Sequence, residues 1–160
     1  MRSTLFAIVF LAQGLTLMAQ AVEPEKNDSD FTELSQYFFA AARIGDTEVL
    51  REFSQAGFPL NTRNSKGYTA LMIATYNGRR EAVDYLLQRG ADACAQDRRG
   101  NTALMAAIFR GEFALARTLL KQDCDSQQVN RAGHSAEDFA EVFGRDQMVQ
   151  LLQQQRSSGG

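Results

Sequence analysis

Glycines recur along this chain at one fixed spacing. Three series keep it: Gly67, Gly100 and Gly133; Gly45, Gly78, Gly111 and Gly144; and Gly57 and Gly90, which Asp123 continues without a glycine. The residues around them repeat as well, because residues 67–78 return in similar form as residues 100–111. A sustained period of about 33 residues indicates that one small structural unit is stacked several times, so that each unit buries its apolar surface against its neighbours.

The two best-preserved units share further features. Each has a Thr-x-Leu pattern, at Thr69 and Thr102, and later a pair of leucines, at residues 86–87 and 119–120. This combination resembles the ankyrin repeat family. The resemblance implies an all-α fold, an ankyrin-repeat solenoid of about four helix-turn-helix units with short β-turn tips. The expected units are residues 31–63, 64–97, 98–130 and 131–155, of which the first and last are atypical because one face of each meets solvent.

The chain departs from the family pattern at two positions of each middle unit. Ala70 and Ala103 stand where the family favours proline, and Met72 and Met105 stand where it favours histidine. In the family that histidine ties its loop down through hydrogen bonds. We therefore expect these loops to be held by packing.

The first 21 residues have the features of a secretory signal peptide. Arg2 precedes an apolar run at residues 5–12, and an Ala-x-Ala pattern ends at Ala21. Cleavage there predicts a periplasmic protein, with secretion as the alternative. An uncleaved anchoring helix is the other interpretation of the segment. The polar residues 22–30 and 156–160 are predicted to be a disordered leader and a disordered tail.

The sequence contains none of the motifs that usually mark an active site. It has no HExxH, GxSxG, CxxC or glycine-rich phosphate loop, and its one histidine is His134. We expect no catalytic activity, no metal and no cofactor. The net charge of −2 and the absence of a long basic run give no reason to expect a nucleic-acid partner. No apolar run reaches the roughly 18 residues of a membrane span.

Two cysteines, Cys94 and Cys124, would enter an oxidising compartment if the signal peptide is used. Equivalent positions in stacked units lie about 10 Å apart, which is too far for a disulfide. These two cysteines are offset by three residues from equivalence, however, and the offset could shorten the distance. A disulfide and two small buried thiols both remain open at this point.

Repeat solenoids bind partners through the concave face, which is formed by the turn tips and the exposed ends of the first helices. Tyr76 and Phe109 are separated by one full repeat and should lie side by side. Aromatic residues and arginine dominate protein interfaces, so a protein partner is favoured; the alternative is that the two rings only cover the groove. The predicted partner-binding residues are Tyr68, Tyr76, Asn77, Arg98, Arg99, Asn101, Phe109, Arg110, Arg131 and His134.

The functional expectation is a non-catalytic, monomeric, protein-binding module exported to the periplasm. The chain is similar to small periplasmic ankyrin proteins of Gram-negative bacteria, some of which are encoded beside catalases. That resemblance implies a role in oxidative-stress defence. The alternative is an immunity protein that neutralises a toxin delivered to the periplasm.

Overall fold

A computed structural model describes residues 28–158, and its helices form four consecutive antiparallel pairs. The predicted all-α solenoid of four units is confirmed. Within the described residues the only β-type pairing is an isolated antiparallel bridge between Gln96 and Thr102. The helices are α1 Asp28–Ile44, α2 Thr47–Gln55, α3 Ala70–Tyr76, α4 Arg80–Gln88, α5 Ala103–Arg110, α6 Phe113–Leu120, α7 Ala136–Val142 and α8 Asp146–Ser158.

Hydroxyl side chains define where three of the first helices begin. In each case the hydroxyl oxygen accepts a hydrogen bond from a backbone N–H three residues later, which the helix itself leaves unpaired. The three caps are Thr69 to Met72 (3.3 Å), Thr102 to Met105 (3.2 Å) and Ser135 to Asp138 (3.2 Å). The repeated Thr-x-Leu pattern therefore marks the first turn of the helix in each middle unit.

A column of alanines at the repeat spacing lies between the first helices. Ala41, Ala74, Ala107 and Ala140 are all buried. Their small side chains let α1, α3, α5 and α7 pack closely on one another, whereas the second helices of neighbouring units are more widely separated. A stack that is tighter along one layer curves toward that layer. The first helices therefore line the concave side of the solenoid.

Both ends of the fold differ from the predicted boundaries. Helix α1 begins at Asp28, so the last three residues of the predicted disordered leader, 28–30, are helical. Its first turns are held because the ring of Phe31 stacks on that of Phe58, with centroids 5.4 Å apart. Helix α1 has 17 residues, whereas the equivalent helix α3 has 7. The additional turns of α1 take the place of the turn tip that the first unit lacks.

At the other end, α8 continues through Ser158, so the predicted disordered tail is wrong for residues 156–158. Arg156 pairs with Glu137 of α7 (3.1 Å), and Gln153 donates to the same carboxylate (3.0 Å). These contacts hold the last turn against the neighbouring helix. The predicted signal peptide, residues 1–21, the rest of the leader and residues 159–160 lie outside the described residues.

Cys94 and Cys124 form a disulfide. Cys94 lies in the loop after α4, and Cys124 lies in the loop after α6. The three-residue offset brings their Cα atoms to 5.4 Å, well within disulfide reach. The alternative of two buried thiols is therefore wrong. At the preceding junction, Asn61, which is the repeat equivalent of Cys94, accepts a hydrogen bond from the backbone N–H of Asp92 (2.8 Å).

Candidate protein-interaction face

Three turn tips project beside the first helices. We call them fingers and number them 1 to 3 in chain order; they span positions 63–68, 96–101 and 129–134. Each finger is organised by one carboxamide or carboxylate oxygen that accepts two backbone N–H groups, which satisfies donors that a turn would otherwise leave unpaired. These hydrogen bonds run to Asn64 from Lys66 (2.9 Å) and Tyr68 (3.0 Å), to Asp97 from Arg99 (2.7 Å) and Asn101 (2.8 Å), and to Asn130 from Ala132 (2.9 Å) and His134 (3.0 Å).

These three organising residues were not singled out by the sequence analysis. Asn64, Asp97 and Asn130 keep the repeat spacing and therefore carried a readable signal. They form a further series beside the glycines, with the residue type varying between Asn and Asp. The loops that lack the family histidine are thus held by backbone N–H groups that donate to these side chains, in addition to the packing of the buried Met72 and Met105.

The fingers touch one another through their backbones. The N–H of Arg98 donates to the carbonyl of Lys66 (3.2 Å), and the N–H of Arg131 donates to the carbonyl of Arg99 (2.9 Å). Glycine permits this approach, because a Cβ at Gly100 would lie 2.9 Å from the backbone nitrogen of Arg131. Gly100 also has a φ of +81°, a conformation that glycine adopts without strain. The fingers therefore form a continuous row.

Several predicted binding residues serve this scaffold. The side-chain oxygen of Asn101 accepts a hydrogen bond from Asn130 (2.8 Å), which joins fingers 2 and 3. The amide of Asn77 donates to the carbonyl of Ile73 (2.8 Å) and closes the end of α3. Tyr68 is half-buried and packs against the core. Asn101, Asn77 and Tyr68 thus have structural roles that sequence reasoning did not assign.

The exposed ends of the first helices carry a row of aromatic rings, which we call the aromatic row: Tyr76, Phe109 and Phe143. The rings of Tyr76 and Phe109 stack with centroids 6.2 Å apart and an interplanar angle of 15°. Phe143 meets Phe109 edge-on at 4.8 Å. The guanidinium of Arg110 lies 5.0 Å from the ring centroid of Tyr76. Side-by-side placement of Tyr76 and Phe109, as the repeat register predicted, is confirmed.

Phe143 was not among the predicted binding residues. The register equivalent of Phe109 in the last unit is Val142, which is 72% exposed and has no aromatic ring. The next residue supplies the third ring instead. The aromatic row remains accessible, since Tyr76 is 47%, Phe109 37% and Phe143 39% exposed. These rings therefore present open surface to solvent.

The finger tips carry unpaired positive charge. Lys66, Arg98, Arg99 and Arg131 are all exposed. The ion pairs formed within residues 28–158 are Arg51–Glu48 and Arg156–Glu137, and neither involves a finger. His134, at the base of finger 3, is also exposed, and its ring meets that of Phe139 edge-on at 6.4 Å.

His134, Ser135 and Asp138 are the three residue types of a hydrolase catalytic triad, but the hydrogen bonds between Ser135 and Asp138 are those of a helix cap. Ser135 and Asp138 exchange hydrogen bonds as a helix cap, in which the backbone N–H of Ser135 donates to the Asp138 carboxylate (2.6 Å). That N–H, followed by the Ser135 hydroxyl, holds the pKa of Asp138 below its ordinary value of 3.8. The Ser135 hydroxyl is thus engaged by the cap. In the described part of the chain no three His, Cys, Asp or Glu side chains are grouped as metal ligands would be.

None of the helices between residues 28 and 158 is both long and apolar enough to cross a membrane.

Comparison with known families agrees with this architecture. A family model of three ankyrin repeats matches residues 11–97, more than half of the chain, and a second model, of many ankyrin repeats, matches residues 81–120. The first match starts ahead of the described residues. Together the two matches cover the second unit and most of the third, where the glycine and Thr-x-Leu patterns are best preserved.

Three curated proteins are similar over parts of this chain. An ankyrin repeat protein of Pseudomonas aeruginosa is 36% identical over 66 residues, which is 41% of this chain and 38% of that protein. The calmodulin-binding transcription activator CBT of Oryza sativa subsp. japonica is 47% identical over 49 residues, 31% of this chain and 5% of that protein. An L-asparaginase of Dirofilaria immitis is 43% identical over 51 residues, 32% of this chain and 9% of that protein. The chain spans well under half the length of each of these relatives.

Proposed function

Because the chain belongs to the ankyrin repeat family, whose members are generally non-catalytic interaction modules, we propose that it acts as an exported protein-binding module in the periplasm. Its binding face comprises the aromatic row and the fingers. The expected state is a monomer that holds one protein partner against its concave side. Oxidative-stress defence beside a catalase is the role that we put forward for that complex.

The observation that carries this proposal is the exposed stack of Tyr76 and Phe109 under the guanidinium of Arg110. Tyrosine and arginine are enriched among the residues that dominate binding energy at protein interfaces. Here the rings are already held by their neighbours, so little side-chain entropy of Tyr76 and Phe109 would be lost when a partner binds. More than a third of the surface of each aromatic residue is still open to a partner.

The disulfide supports export. Cys94 and Cys124 are bonded, and such bonds persist in secreted and periplasmic proteins but are rare in a reducing cytosol. The full-length chain, produced in a Gram-negative host, should be recovered from the periplasmic fraction with Val22 as its first residue. Intact-mass analysis before and after reduction should also report one disulfide. A cytosolic product that retains Met1 would contradict export.

Binding is tested by affinity capture from a periplasmic extract of the source organism. The variant Tyr76→Ala/Phe109→Ala/Arg110→Ala should lose the captured protein. A matched control is Leu34→Ala/Tyr37→Ala/Arg117→Ala, which removes exposed side chains of comparable size and charge outside the aromatic row and should retain it. Both variants should remain folded at the temperature of the capture, which thermal melting checks, since all six side chains are exposed and none lies in the core.

The identity of the captured protein decides the biological role. A resident protein of peroxide defence, such as a catalase, would support the stress role. A delivered toxin held against the same face would instead establish the immunity alternative. Equal capture by the parent and the aromatic-row variant would contradict the proposed binding face.

A further inference from the structure

We propose that the finger row binds an extended, acidic segment of the partner protein, with a carboxylate at about every third residue. This inference rests on the proposed protein-binding function and specifies the chemistry of the partner. It concerns the fingers, whereas the aromatic row at the opposite ends of the first helices receives other parts of the same partner.

The first observation is a local excess of positive charge. The three finger tips carry Lys66, Arg98, Arg99 and Arg131, all exposed, in a chain whose net charge is −2. The only carboxylate within the fingers is that of Asp97, which is 9% exposed. Its oxygens accept hydrogen bonds from inside finger 2 and are not available to neutralise the tips. The row therefore attracts negative charge, although the whole chain does not.

The second observation is the spacing of the tips. The two legs of each finger are joined by a backbone hydrogen bond, in which the N–H of the organising residue donates to the carbonyl four residues later: Asn64 to Tyr68 (3.0 Å), Asp97 to Asn101 (2.9 Å) and Asn130 to His134 (2.9 Å). Finger 2 adds the bridge between Gln96 and Thr102. Neighbouring fingers are joined directly by backbone hydrogen bonds, from Arg98 to Lys66 and from Arg131 to Arg99. Hydrogen-bonded extended legs lie about 4.8 Å apart, so the repeat distance between tips is about 9.6 Å.

This repeat distance matches one peptide conformation closely. A polyproline II segment rises about 3.1 Å per residue and has three residues per turn, so every third side chain points to the same side at intervals of about 9.3 Å. Acidic side chains at positions i, i+3 and i+6 would each face one finger tip. Since such a segment is already extended before binding, it loses little conformational entropy.

A protein segment fits these features better than a nucleic acid does. One strand of a stacked nucleic acid carries a phosphate for about every 3.4 Å of its axis, so most of its charges would fall between the tips and not opposite them. Single-stranded nucleic acids also bind through bases that stack on free aromatic planes. Tyr76 is already paired with Phe109 and lies beneath the guanidinium of Arg110.

The test uses fluorescence polarisation with four labelled probes and the purified chain in low salt. Three are twelve-residue peptides: four Glu-Ala-Pro repeats, the same composition with its four glutamates adjacent, and four Gln-Ala-Pro repeats. The fourth is a twelve-nucleotide oligothymidylate. The first peptide should bind about tenfold more tightly than the glutamine peptide and about threefold more tightly than the adjacent-glutamate isomer, and its affinity should fall with added salt.

Two charge-matched variants distinguish binding by the fingers from a general electrostatic attraction of the whole chain. Arg98→Ala/Arg99→Ala/Arg131→Ala should weaken the Glu-Ala-Pro peptide about tenfold. Arg80→Ala/Arg117→Ala/Lys121→Ala removes three exposed cations from other surfaces and should leave its affinity unchanged within about twofold. Both variants change the net charge by the same amount, so a difference between them reports position alone.

Four results would overturn the inference: equal binding of the glutamate and glutamine peptides, equal binding of the spaced and adjacent-glutamate peptides, equal weakening by both variants, or tighter binding of the oligothymidylate. None of these would affect the capture experiment, which depends on Tyr76, Phe109 and Arg110. If a partner is captured through the aromatic row while the peptides fail, the binding function stands and only the acidic segment is wrong. If both experiments fail, the binding function itself falls.

Discussion

The backbone nitrogen of Arg131 lies 2.9 Å from the place where a Cβ at Gly100 would stand. This relationship explains why one glycine series recurs at the fingers, since each of Gly67 and Gly100 must admit the backbone of the next finger. The last member of the series, Gly133, has no following finger and would meet nothing within 4 Å. Gly133 is therefore a control for Gly100, because the two glycines differ in whether another finger packs against them.

Gly100→Ala should destabilise the fold more than Gly133→Ala does. Both glycines have a positive φ, +81° and +80°, so both substitutions carry a similar backbone penalty of about 1 kcal/mol. Only Gly100→Ala adds a clash with backbone, which we expect to raise its total cost to about 2–3 kcal/mol. Urea denaturation of the two variants measures the difference, and equal losses would show that the fingers separate without cost.

Asp97→Asn should be tolerated, whereas Asp97→Ala should cost about 1–2 kcal/mol of folding free energy. Asparagine keeps the oxygen that accepts the N–H groups of Arg99 and Asn101, as Asn64 does in finger 1, and loses only the longer hydrogen bond from the Asn101 side chain (3.3 Å). Alanine leaves both donors without that acceptor. Chemical denaturation of the two variants checks this order. If both variants lost the same amount of stability relative to the parent, the charge of Asp97 would matter and its hydrogen bonds would not.

Replacing both cysteines, Cys94→Ser/Cys124→Ser, should lower the free energy of unfolding by about 3 kcal/mol. The bond closes a loop with a sequence separation of 30 and so restricts the unfolded chain. A reductant should reduce the stability of the parent by a similar amount and have no effect on the double variant. Identical melting of the parent with and without reductant would contradict a stabilising disulfide.

The cap at the start of α7 should weaken in acid. The folded-state pKa of Asp138 is lowered below 3.8, mainly by the Ser135 backbone N–H and then by its hydroxyl. A lowered folded pKa means that the stabilisation is fully present above 3.8 and is lost as the pH falls through the folded value. The stability difference between the parent and Asp138→Ala should therefore shrink in strong acid. Stability curves from neutral pH down through that range measure it, and a constant difference would exclude the carboxylate as its source.

Much of the proposed binding face could be predicted from register alone. Tyr76 and Phe109 occupy equivalent positions in adjacent units, and equivalent positions in a stack lie side by side. This reasoning did not identify Phe143, because Phe143 is one residue out of register with Phe109. Its ring reaches the row only through the way the last unit is placed on the third. The structural roles of Asn77 and Asn101 could not be predicted either, because the sequence does not distinguish a carboxamide that forms hydrogen bonds within the fold from one that is free on the surface.

By itself, the sequence determined the unit, its two helices and the number of units, because the repeat pattern depends on local helix caps, turn glycines and contacts between nearest neighbours. The tertiary structure decided what lies out of register: the Cys94–Cys124 bond, the third ring of the aromatic row and the helical ends at residues 28–30 and 156–158. These features depend on distances between loops and on packing at the two ends of the stack. A repeat pattern describes each unit relative to its neighbour and does not specify either quantity.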